Sequence, residues 1–278
     1  MNKSERKVKG SEVIEKYCLD GDVINLNNHP PFWRIITNWI LRIIRKKQGK
    51  IFLNPYILHA MVQGIVKKFN ANDDTHTMIY FKNESIKKYI GNEAKINDLL
   101  LGHPDITTFS VEPPKATFVL NIDYSDGDIS VYRYCRKRID ERDTKIMLQA
   151  TLLVLGTWYD LGQLLSILVD EIAGYPNVEK NKVFDFGAKY KVCSTGVASV
   201  YANWRHTLEK IGVNLPRLFS ILNPAYWKEK FVKEFNQNGN KWMVERTYPA
   251  QFSNIEHFNN DFRLILKMLN GEVVYLNI

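Results

Sequence analysis

Cysteine is scarce in this chain: Cys18, Cys135 and Cys193 are the only three in 278 residues. They are too widely spaced to read as a disulfide framework. The opening "MNKSERKVKGSE" is charged and lacks the apolar centre of a secretory signal. Together these absences exclude a disulfide-stapled extracellular module and set the expectation of free thiols in a reducing setting, cytoplasmic or particle-associated. Residues 1–12 read as a disordered basic tail. An unbroken apolar run of membrane-spanning length is also missing. "PFWRIITNWILRIIRKK" (31–47) is interrupted by Arg34, Asn38 and Arg42, and "MLQATLLVLGTWYDLGQLLSILV" (147–169) carries Gly156, Asp160 and Gly162 at its centre. The first reads as an amphipathic helix lying on the core, with contact to a membrane surface or a larger assembly through 32–47 as the sharper alternative. The second reads as a buried helix or helix pair. There is no internal repeat and no low-complexity tract. The Cys and His residues show no metal-ligand spacing, so neither metal nor other cofactor is expected.

What is present suits a globular protein, at 24% charged residues and a length sufficient for one large domain or two small ones. The net charge of +8 comes from basic residues spread along the chain and mixed with acids. That pattern reads as solvated surface, so nucleic acid is not the expected partner. Frequent Lys, Asn and Ile suggest an AT-rich bacterial or phage genome.

Periodicity predicts mixed architecture. "DGDVINL" (20–26) is a turn entering a short strand, followed by a helical region to about residue 70. "THTMIYF" (75–81) alternates as a strand after the loop "NANDD". A polar, helical insertion spans 82–105. Strands follow in "ITTFSVE" (106–112) and "ATFVLNI" (116–122), separated by Pro113-Pro114, and an Asp126-Gly127 turn leads into "ISVYRY" (129–134). Helices dominate 139–173, and from 212 onward no clear period emerges. Strands clustered between helical flanks predict an α+β domain built on an antiparallel sheet.

The stretch "KYKVCSTGVASVYANWR" (189–205) sets a thiol at a helix start. Val197, Val200, Tyr201, Trp204, Leu208 and Ile211 form a stripe at helical spacing, which puts Cys193 in the first turn. Unsatisfied N–H groups and the helix dipole favour an anion there, and Ser194 and Thr195 can cap the turn. The plainer alternative makes Cys193 a small buried hydrophobe. A nucleophilic thiol needs a base, itself oriented by a third group. Of the histidines His29, His59, His76, His103, His206 and His257, His76 stands out because it sits at the start of a strand beside a polar loop. Its plainer alternative is a half-buried strand histidine.

The segments "LDGDVI" (19–24), "DDTHTMIYF" (73–81), "FSVEPPKATFVL" (109–120), "VYRY" (131–134), "LGTWYDLGQLL" (155–165) and "YKVCSTGVASVY" (190–201) occur in a telling order. That order resembles the circularly permuted papain-like amidases and peptidases of the NlpC type, a group that includes lecithin retinol acyltransferase. The resemblance covers about residues 19 to 205. It implies a permuted papain-like fold, an antiparallel sheet or small barrel packed with helices, over 13–211, with 82–105 as an insertion and 212–278 as a C-terminal extension packed on the domain. It implies Cys193 as nucleophile, His76 as base and Glu112 as the group that orients the imidazole. Glu112 suits that role because it ends a strand and Pro113 confines its backbone to extended geometry. Asp22 and the pair Tyr159-Asp160 also match family positions. We read Asp22 as shaping a turn, and the pair as packing and hydrogen bonding between helix and sheet. The chain departs from the family at Thr75, where serine is usual, and at Thr195, where an acid is common. The implied activity is that of a cysteine-dependent amidase or peptidase, cleaving a small amide such as a cell-wall peptide or acylated amine through a thioester. Alternatives are a lipid acyltransferase of the same chemistry, or a non-catalytic component of a larger assembly, such as a phage particle, held through 32–47 and 212–278.

Overall fold

The computed structural model of the protein describes residues 10–27, 76–102, 104–111, 115–120, 128–159, 190–215, 252 and 261–277. Its centre is a seven-stranded sheet in the order β4-β3-β2-β1-β5-β8-β9, every neighbouring pair antiparallel. The strands are β1 (Val23–Asn27), β2 (His76–Tyr80), β3 (Ile106–Val111), β4 (Ala116–Leu120), β5 (Asp128–Tyr134), β8 (Phe262–Leu269) and β9 (Glu272–Leu276). With helices on its faces the domain is of the expected α+β class.

Alternation along the strands makes two apolar faces. Val23, Ile79, Phe109, Val111, Phe118 and Tyr134 pack on one side, against α2 (Asn83–Ile90), α3 (Ala94–Gly102), α4 (Glu141–Val154) and α5 (Cys193–Lys210). Ile24, Met78, Tyr80, Ile129, Val131 and Leu266 pack on the other, against Val13, Ile14, Tyr17 and Cys18 at helical spacing on and just after α1 (Gly10–Tyr17). Helix α1 thus begins within the residues read as a tail, while 1–9 lie outside the described residues.

The expected strands correspond to β1 to β5, and the expected helical insertion forms α2 and α3. Ile86, Ile90 and Ile96 anchor the insertion in the core, and the Asp20 carboxylate accepts from Lys82 N–H and from the Ser85 hydroxyl, each at 2.6 Å. Of the helices expected over 139–173, the first runs from Glu141 to Val154. Asp140 caps it, accepting from Asp143 N–H at 2.9 Å while the Asp143 carboxylate accepts from Asp140 N–H at 3.0 Å. It stops where Gly156 takes a φ of 79°, a left-handed conformation that ends helices. The chain then forms β6 (Trp158–Tyr159), parallel to β7 (Tyr190–Lys191). The helical region expected to residue 70, the amphipathic stretch 32–47, and residues 160–173 lie outside the described residues. The C-terminal stretch, which lacks clear periodicity, supplies β8 and β9 to the sheet itself. Their turn is Asn270-Gly271, with φ of 51° and 81°, as a two-residue hairpin turn requires. Among the described residues no helix is long and apolar enough to cross a membrane.

Candidate active site

Two elements bring the site together. Strand β2 opens with His76 and lies between β1 and β3, so its backbone is held on both sides. Helix α5 opens with Cys193, delivered by β7 through Val192. Thr195 secures that first turn: its hydroxyl accepts from Val192 N–H at 3.0 Å and donates to the Val192 carbonyl at 3.2 Å. A hydroxyl here does the capping an acidic third residue would do, without placing a negative charge beside the thiol.

The depth at which α5 sits depends on Gly196. A Cβ at that position would lie 2.3 Å from Val111 Cγ2 on β3, so only glycine allows this approach of helix to sheet. Farther along, Tyr201 donates its hydroxyl proton to the Gly21 carbonyl, and Trp204 Nε1 donates to the Asp143 carboxylate at 3.1 Å. Tyr134, Tyr201 and Phe262 meet in tilted and edge contacts, ring centroids 5.2 to 5.9 Å apart. These contacts leave α5 little freedom to rotate or slide.

Cys193 and His76 are 3% and 7% exposed and hydrogen-bonded to each other, and the backbone N–H groups of Thr77 and Ser194 also reach the sulfur. Burial pushes the Cys193 thiol up, but the His76 imidazole, by charge and hydrogen bond, and the two N–H groups outweigh it and leave the thiol below its ordinary range. The other thiols go the opposite way. Burial and the Asp22 carboxylate push Cys18 well up, and burial also raises exposed-side Cys135. Cys193 is the one cysteine of the three whose surroundings favour the thiolate over the thiol relative to an ordinary cysteine.

The imidazole has a second partner. Its Nε2 lies 2.8 Å from the hydroxyl of Ser110 on β3, a fully buried side chain. Met78 is opposite Ser110 in the β2–β3 register, so His76, two residues before Met78, is Ser110's diagonal neighbour on the same face. Sequence reasoning passed over Ser110. The available signal was parity: in a strand read through 106–112, positions 110 and 112 share a face, and the search for an orienting group stopped at the acidic one.

Glu112, Thr75 and Asp160 lie outside the described residues, as do His29, His59, His103 and His257. His206 is exposed on α5, with Nδ1 3.8 Å from the Glu209 carboxylate, and belongs to the helix surface. Asp22 does more than shape a turn. It accepts from Leu19 N–H at 2.8 Å and forms a two-pronged ion pair with Arg133, Oδ1 to Nε at 2.9 Å and Oδ2 to Nη2 at 2.8 Å. That pair ties the entry of β1 to β5. Tyr159 enters the site's frame through its backbone, pairing with Lys191 in the β6–β7 ribbon that precedes Cys193.

A thiol acidified by an imidazole, at a helix start with N–H groups around the sulfur, can attack an electrophilic carbonyl and shuttle one proton. No protein-family model matches the chain, and no curated protein matches it.

Proposed function

We propose that this protein is a cysteine-dependent amidase or peptidase with a permuted papain-like arrangement, acting on a small amide through a thioester. The observation that carries the reading is the Cys193–His76 hydrogen bond at the start of α5, with the thiol held below its ordinary pKa. A nucleophile helix packed on an antiparallel sheet beside a strand-borne histidine supports it as well.

In the proposed reaction His76 takes the Cys193 proton, and the thiolate attacks the amide carbonyl. The carbonyl π electrons move to oxygen, where the Cys193 backbone N–H, which has no intrahelical partner at a helix start, stabilises the developing charge. His76 then gives its proton to the leaving amine as the C–N bond breaks, leaving an acyl thioester on Cys193. Water, deprotonated by His76, attacks that thioester, and the thiolate leaves. An amine or alcohol in place of water makes the same site an acyltransferase. The resemblance assigns the imidazole's orientation to Glu112.

Site-resolved alkylation by iodoacetamide near neutral pH tests this. Cys193 is expected to react faster than Cys135 despite being less exposed, and to lose that advantage in His76→Ala. Equal or slower labelling of Cys193 sinks the reading. Hydrolysis of a panel of small acyl-amides, abolished in Cys193→Ala with the fold intact by circular dichroism, would establish the activity.

A further inference from the structure

We propose that Ser110 is the positioning residue for His76: its buried hydroxyl holds Nε2, so that the imidazole presents Nδ1 to the Cys193 sulfur. This rests on the reading of Cys193 and His76 as nucleophile and base.

The geometry is specific. Nε2 and the Ser110 oxygen are 2.8 Å apart, Ser110 is fully buried, and β2 and β3 fix the two backbones diagonally across one strand pair. Each ring nitrogen offers a single in-plane hydrogen-bonding position. With Nε2 engaged by the hydroxyl, the hydrogen bond to sulfur falls to Nδ1. A hydroxyl that accepts from Nε2–H stabilises the tautomer whose Nδ1 lone pair faces the thiol, which is the form able to take the proton. The same hydroxyl still accepts once both nitrogens are protonated, so the ring keeps its place through the proton transfer. Ser110 also brings no charge. Together with Thr195, it holds ring and helix start through neutral oxygens, where a carboxylate would add a second anion near the thiolate.

The test is the pH profile of Cys193 alkylation by iodoacetamide in the full chain, read by site-resolved mass spectrometry, for wild type, Ser110→Ala and Ser110→Thr. In Ser110→Ala the neutral-pH rate is expected to fall by up to about tenfold, the value of one lost hydrogen bond, and the midpoint to move upward. Ser110→Thr, which keeps the hydroxyl, is expected to restore most of the rate. An unchanged profile in Ser110→Ala overturns the proposal. A direct reading needs no substitution on β3: nitrogen NMR of the His76 ring in Cys193→Ala, above the imidazole's titration, is expected to find the proton on Nε2, and a proton on Nδ1 overturns it. Failure of the parent reading looks different, because wild-type Cys193 would then label no faster than Cys135.

Discussion

Cys18 and Cys193 are equally buried, at 2% and 3% exposure, yet their thiols are pushed in opposite directions. Cys18 follows α1 in an apolar cluster under the sheet, where its strongest polar neighbours are the Asp22 carboxylate, which opposes a thiolate, and Arg133, already committed to Asp22. Cys193 begins α5, where an imidazole and two backbone N–H groups meet the sulfur. Burial by itself makes a thiol inert. A buried thiol becomes reactive only when the groups that surround it favour the anion by more than desolvation disfavours it.

Removing the imidazole should break that contrast most completely. In His76→Ala the Cys193 thiol is expected to behave like Cys18, with turnover on a cleavable amide down by about 10²- to 10⁴-fold, the range for loss of a general acid–base. Steady-state rates alongside a thermal melt check this, and a variant that keeps full activity would refute the role.

The Cys18 corner can be broken through Arg133. Replacing it by Met leaves the Asp22 carboxylate buried, with only the Leu19 N–H as partner among the interactions named above. Breaking a buried pair from one side costs about 3–5 kcal/mol, so a large drop in denaturant midpoint is expected. Part of that loss should return at acid pH. Burial raises the Asp22 pKa despite Arg133, so the folded state holds a proton there that the unfolded state releases above pH 3.8, and stability contributed by this group falls as pH rises from that value. Without Arg133 that slope should steepen.

Gly196→Ala is a milder change at the other corner. The added methyl meets Val111 at 2.3 Å, and overpacking of this kind costs about 1–3 kcal/mol. If the glycine sets the helix's depth, Val111→Ala in the same chain should recover stability and Cys193 reactivity together. Recovery of neither would detach Gly196 from the site.

The smallest expected effect sharpens the contrast by its sign. The Cys193 pKa is lowered in the folded state, so the unfolded state holds more protons between the lowered value and the ordinary one of 9.0, and stability rises with pH through that window. The Cys18 pKa is raised, so the folded state holds more protons above 9.0 and stability falls as pH rises there. Cys193→Ala and Cys18→Ala should therefore remove slopes of opposite sign from a stability-versus-pH curve measured by denaturant titration.

Legibility in the sequence followed the range of the interactions. Strands β1 to β5 and the start of α5 announce themselves through alternation, turn residues and an apolar stripe, all properties of neighbours in sequence. Helix α1 is readable in the same way, from Val13, Ile14, Tyr17 and Cys18, although its first residues, 10–12, belong to the charged stretch expected to be a tail. The β8–β9 hairpin carried the strong signal Asn270-Gly271 and went unread because the long aperiodic stretch before it masked the change of pattern. Ser110 is the harder case. A serine in a strand has no local mark of function, and it matters only because β3 lies beside β2 in a register that sets its hydroxyl against His76.

The residue order alone therefore determined that a thiol would stand at a helix start and a histidine at a strand start, because caps, turns and periodicity act over a few residues. Only the tertiary structure decided that sulfur and imidazole are hydrogen-bonded, that Gly196 lets the helix come so close, and that the Ser110 hydroxyl meets the ring at Nε2. Those outcomes depend on strand register and on how closely a helix can approach a sheet. Both are set by packing between segments far apart in the chain, which no local pattern encodes.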